Sequence, residues 1–161
     1  MNQFCVHITL EPWLAQWFVN ENGGETPVVV PRLSVEHRIF DVFLMTLPAA
    51  AQPDRPGDNT VAVVVPVFKH RPVERYNYLP HKAKVEMRNC IRNRFIVQLW
   101  NDLHHFGHIG KRRDTLIYAW MEQHGIELTD TNWNAIAKIY QRQYYNYYYR
   151  KYYRDHKDDK K

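Results

Sequence analysis

The chain has 161 residues and a formal net charge of +5, with 45% hydrophobic and 14% aromatic side chains. That apolar share excludes a disordered chain, and the length allows one ordinary domain or two small ones. No apolar run approaches the roughly 18 residues of a membrane span, and no cationic start leads into an apolar stretch, so no spanning helix and no secretory leader are expected. The cytoplasm is the expected compartment. Residues 1–60 hold three basic and seven acidic side chains, leaving 19 basic and 10 acidic for the remainder. This asymmetry, −4 against +9, points to a polyanionic partner for the C-terminal part. Cys5 and Cys90 have no metal or redox spacing and read as free thiols among apolar neighbours.

Residues 4–10 alternate, with Val6, Ile8 and Leu10 on one face and Cys5, His7 and Thr9 on the other, which is the period of a strand. Pro12 suits the first turn of a helix that Trp13–Phe18 continues and Asn22-Gly23-Gly24 stops. Val28-Val29-Val30 is a short β-branched run closed by Pro31. Ser34 is placed to cap a second helix, with Val35, Ile39, Val42, Phe43 and Leu47 as its buried stripe. Three prolines and a glycine make 48–58 a loop, and Val61–Phe68 reads as a strand that Pro66 keeps at an edge or ends early. A β-α-β-α-β unit over residues 1–70 follows, an arrangement that specifies no function. Residues 69–80 read as a basic hinge.

Beyond Pro80 the pattern is helical, and the expected fold is α+β: the small α/β unit, a basic three-helix domain over 78–155 and a charged tail, 156–161. The first long helix covers about 81–106 and is broken by Gly107 and Gly110. The second covers about 114–124 and ends at Gly125. Thr129 is placed to cap the third, with Leu128 and Trp133 as a hydrophobic staple and Asp130 in the first turn.

Leu116, Ile117, Trp120, Met121 and His124 form one stripe, and Trp133, Ile136, Ala137, Tyr140 and Tyr144 another. Two such stripes joined by a short turn containing glycine must pack on each other and on the long helix. Over about 85–150 the arrangement resembles a helix-turn-helix DNA-binding domain, which implies that the third helix enters a major groove. Three-helix packing also serves plain scaffolding, so the outward positions decide. Asn134, Lys138, Gln141, Arg142 and Tyr145 should face out. Asn and Gln pair with adenine edges and Arg or Lys with guanine. No acidic residue occurs between Asp130 and Asp155, which favours binding over a merely solvated face.

Two further basic groups are expected to hold phosphate. Lys111, Arg112 and Arg113 stand at the start of the second helix, where backbone N–H groups and three cations would make an anion site. Lys84, Arg88 and Arg92, spaced four apart, would form a ridge if the first half of the long helix projects beyond the core; snorkelling over apolar surface is the alternative. The run from Gln143 to Arg154 interleaves tyrosines with Arg150 and Lys151, a composition able to stack bases, to dock a partner protein or to pair with a second copy.

Catalysis is not expected. His104 and His108 have helical metal-ligand spacing but fall where the helix is ending, so no metal and no cofactor are expected. Tyr148 with Lys151 superficially resembles the tyrosine motif of replication and mobilisation nucleases. Those enzymes also need two histidines flanking one hydrophobic residue, a triplet this sequence lacks. The strings Gly-Lys-Arg-Arg-Asp-Thr-Leu-Ile-Tyr-Ala-Trp-Met and Trp-Asn-Ala-Ile-Ala-Lys-Ile-Tyr-Gln-Arg are similar to those of small uncharacterised proteins from gut Bacteroidetes, a group that implies no activity. The expectation is a non-catalytic nucleic-acid-binding protein, duplex DNA before RNA, of a mobile element or a transcriptional accessory. The alternative is an interaction module that docks through its tyrosine-rich helix.

Overall fold

A computed structural model describes residues 3–106 and 112–156. In chain order the elements are β1 Cys5–Thr9, α1 Pro12–Glu21, α2 Val35–Phe43, β2 Met45–Thr46, β3 Thr60–Val64, β4 Tyr76–Tyr78, α3 His81–Phe106, α4 Arg113–Gln123 and α5 Asp130–Asp155. The fold is α+β, a small strand region followed by long helices. It forms two compact units, Met1–Phe95 and Ile96–Lys161.

In the first unit β1 and β3 pair antiparallel, with Cys5 opposite Val64 and Thr9 opposite Thr60. The period-2 alternation sends Val6, Ile8, Val61 and Val63 into the core. Val28 bridges β3 from its other side, donating its N–H to the Ala62 carbonyl and accepting from the Val64 N–H, both at 2.8 Å. Trp13, Leu14, Trp17 and Phe18 of α1 fill the same core.

Two expectations for this unit change. Ser34 does cap α2, accepting from the His37 N–H at 3.1 Å. Its buried positions, however, are Glu36, Ile39 and Phe40, while Val35, Val42, Phe43 and Leu47 stay exposed. Buried Glu36 is answered from the rim: its Oε1 lies 2.9 Å from the half-exposed Arg94 guanidinium, which holds Glu36 and Phe40 inward. The 69–80 segment is also not a free hinge. Tyr76–Tyr78 pairs with Met45–Thr46, and Arg71 bonds the Asp41 carbonyl and carboxylate while lying over the Phe68 ring. Strands of two and three residues are too short to show a period.

The seam between the units lies inside α3 and not in 69–80. Ala83, Met87, Ile91 and Phe95 are buried, and Phe95 meets Trp13 at 4.7 Å and Trp17 at 5.3 Å, so this half of α3 completes the first core. Divided there, the charges are eleven basic and nine acidic in the first unit, and eleven basic and eight acidic in the second. The asymmetry seen in the sequence therefore depends on a cut at residue 60; what persists is local, on α5.

In the second unit the core is Leu99 and Leu103 of α3, Ile117, Trp120 and Met121 of α4, and Ile136, Ile139 and Tyr140 of α5. The α4–α5 turn is a Schellman motif: Ile126 N–H donates to Met121 O at 2.9 Å and Gly125 N–H to Glu122 O at 3.3 Å, with Gly125 at φ +68°. Asp102 ties α3 to α4, accepting from Trp120 Nε1 at 2.9 Å with His124 Nε2 at 3.6 Å. Among the described residues no helix is long and apolar enough to cross a membrane.

Candidate nucleic-acid interface

Helix α5 begins at Thr129, whose hydroxyl accepts from the Asn132 N–H at 3.2 Å, while buried Asn132 donates its side-chain amide to Glu127 O at 3.0 Å. This double tie fixes the rotation at which α5 leaves the turn. With Ile136, Ile139 and Tyr140 inward, helical geometry of about 100° per residue turns Asn134, Lys138, Gln141, Arg142 and Tyr145 outward. All five are exposed. Lys138, Gln141, Arg142 and Tyr145 surround one shallow, open hollow of about 420 Å³, together with Asn146. Asn146 was missed by the sequence reading, although it follows Arg142 by one helical turn.

Chemically the face offers amide donors and acceptors beside two cations, the set that reads base edges. It has no carboxylate of its own, since none occurs on α5 between Asp130 and Asp155.

Other candidates are placed differently. Arg150 and Lys151 are exposed but lie about 140° and 120° around the axis from Tyr145, so α5 does not bring them to the outward face. Arg112 is the N-cap of α4 and makes no capping bond, since a guanidinium has no acceptor. Arg113 is held against tyrosines, its guanidinium 5.0 Å from the Tyr144 ring and 5.5 Å from Tyr140. Asp114 puts a carboxylate in the same first turn, where it competes with any incoming anion. Lys111 lies outside the described residues.

Two cations of the 84–92 ridge meet local carboxylates. Lys84 Nζ sits 2.7 Å from Asp54 Oδ1, and Arg92 pairs with Glu11 while facing the Trp13 ring at 5.7 Å. These cations flank the buried line Ala83–Met87–Ile91, one residue along, so their stems lie over the core edge and two of their charges are answered by local carboxylates. Arg88 is the exposed one of the three.

The tyrosines divide into two sets. Tyr140 and Tyr147 pack on Trp100 at 5.7 and 5.4 Å, and His104 stacks on the same indole at 4.6 Å, which accounts for that histidine as part of an aromatic cluster. Burial raises the Tyr140 pKa, opposed in part by Arg113. Tyr145, Tyr149, Tyr152 and Tyr153 remain exposed without touching Trp100, and Tyr147 and Tyr148 are exposed in part. Burial, then Glu36 and Glu86, raises the Cys90 thiol, and burial raises that of Cys5. Among the described residues no group of three His, Cys, Asp or Glu side chains could hold a metal ion. Comparison with protein-family models, curated proteins and solved structures finds no match.

Proposed function

We propose that this chain is a non-catalytic nucleic-acid-binding protein that presents the outward face of α5 to the major groove of duplex DNA. The observation that carries the proposal is the joint exposure of Asn134, Lys138, Gln141, Arg142 and Tyr145 on one helix face, the last four around one hollow, on a stretch without a carboxylate. Lys and Arg attract the phosphate backbone without regard to sequence, and the amides add discrimination between bases. Arg112 and Arg113 at the start of α4 supply additional positive charge within the same unit, and a cytoplasmic place belongs to the same proposal.

Mobility-shift titrations with duplex DNA, single-stranded DNA and RNA at two salt concentrations test it. Duplex should bind most tightly at low salt, with Lys138→Ala and Arg142→Ala weakening every probe and Asn134→Ala weakening only a preferred sequence. A chain that binds none of the probes contradicts the proposal. The exposed tyrosines favour a second reading, in which α5 docks a protein partner or a second copy. Sedimentation at micromolar concentration separates the two.

A further inference from the structure

The outward face of α5 changes its chemistry halfway along. Asn134, Lys138 and Gln141 continue at the same azimuth as Tyr145, Tyr149 and Tyr152, all within about 80° of arc. From Tyr145 onward the face carries exposed rings, Tyr145 at 67%, Tyr149 at 50% and Tyr152, which stacks on His156 at 4.1 Å, at 60%. The Tyr145 and Tyr149 rings are 6.0 Å apart and nearly parallel at 20°, and Tyr153 follows Tyr149 at 4.5 Å. The tyrosine that builds the core is Tyr140, against Trp100, and Tyr147 meets the same indole while half in water. A row of aromatic faces in water is costly surface that calls for an occupant.

Charge selects the occupant. Lys138 and Arg142 share the row's side of the helix, Arg150, Lys151 and Arg154 stand on its other sides, and no carboxylate occurs from residue 131 to residue 154. A second α5 laid antiparallel in full overlap would set Arg142 against Gln143, Arg150 against Ala135 and Arg154 against Thr131, so only Arg154, beside the copy's Asp130, would come near a carboxylate. A parallel copy would set each cation beside itself. An anionic ligand with flat apolar faces answers both features, and unpaired nucleotides have phosphates and bases in alternation. Successive tyrosines rise about 6 Å along the axis, which gives each base a ring of its own.

We propose that the distal half of α5, from Tyr145 to Tyr153, is a stacking strip for unpaired bases, so that the preferred ligand is duplex DNA with a single-stranded extension. The duplex part of this proposal rests on the groove reading of Asn134, Lys138, Gln141 and Arg142; the strip itself does not.

Fluorescence anisotropy on the full chain tests it with three probes: a blunt duplex, the same duplex with a short single-stranded extension, and that duplex with an abasic extension, which keeps the phosphates and removes the bases. The extension should tighten binding by roughly tenfold for each base stacked, and the abasic extension should give little of this gain. Replacing Tyr149, Tyr152 and Tyr153 together by leucine, a strong helix former, should remove most of the gain and leave blunt-duplex affinity unchanged, while the phenylalanine triple should keep it. An abasic extension as effective as the normal one overturns the strip, as does a leucine triple with the full gain. A leucine triple that turns a dimer into a monomer without touching the gain also overturns it and assigns the rings to a second copy. If the extended probe binds through the tyrosines and the blunt duplex does not bind, the strip stands and the groove reading falls.

Discussion

Lys84 Nζ lies 2.7 Å from Asp54 Oδ1, and Asp54 Oδ2 accepts the His7 backbone N–H at 2.7 Å. One carboxylate thus pins the proline-rich 48–58 loop to both β1 and α3. A cation that reads as a phosphate contact in the sequence is, in the fold, a structural tie. Lys84→Ala should cost about 1–3 kcal/mol of stability, because Asp54 is mostly buried and loses its charge partner. Urea titration measures that cost. Nucleic-acid affinity and its salt dependence should be those of the unmutated chain, and a fall in both would return Lys84 to the interface.

The pair Glu36–Arg94 predicts an asymmetric result. Glu36 is 1% exposed, so Arg94→Ala leaves a buried carboxylate without its cation and should cost about 2–4 kcal/mol, at the lower end where water reaches the site. Replacing both residues by apolar ones of similar volume should restore much of the loss. Thermal or urea unfolding of the two single variants and the double variant gives the coupling, and additive losses would show that the pair does not act as a unit.

Alkaline pH should loosen the second unit through Tyr140. Its pKa is raised by burial, so the neutral phenol is the form the fold prefers. The stabilisation is complete below the unfolded phenol pKa of about 10 and is lost as pH climbs through the higher folded value. The stability of Tyr140→Phe should therefore decline less between pH 9 and 11 than that of the unmutated chain. Equal declines would place the alkaline sensitivity elsewhere.

Much of the fold is legible because its signals are local. The alternation of Val6 and Ile8, the Ser34 and Thr129 caps, and Gly125 at the end of α4 each act through a few adjacent residues, and each is where the pattern puts it. The outward set Asn134, Lys138, Gln141, Arg142 and Tyr145 is legible for the same reason, since one helix fixes all five. What was not legible depends on partners distant in sequence. Asp54 answers Lys84, Glu11 answers Arg92, and Arg94 turns α2 by holding Glu36. Periodicity shows which residues share a face and is silent on which carboxylate will arrive there. The seam inside α3 was hidden likewise, because a continuous helix gives no break where its core changes.

If the rows of aromatic and basic residues on α5 bind a polyanion, thiol chemistry is a bystander. Cys90 is held protonated by burial and by Glu36 and Glu86, so it should react with a disulfide reagent at neutral pH more slowly than free cysteine. Complete alkylation of Cys90 under mild alkaline conditions should leave nucleic-acid binding intact, and a loss of binding with the fold preserved would give the thiol a role.

The salt dependence of duplex binding tests the central claim most directly. Each phosphate contact made by a cation releases a counterion, so log K should fall linearly with log salt, by about 0.9 for each contact. For the unmutated chain the account predicts measurable duplex binding at low salt with a steep slope. The Lys138→Ala, Arg142→Ala double variant should bind every sequence more weakly and flatten the slope by about 2. Undetectable binding at the lowest salt, or a slope that the double variant leaves unchanged, would contradict the assignment of this face of α5 to nucleic acid.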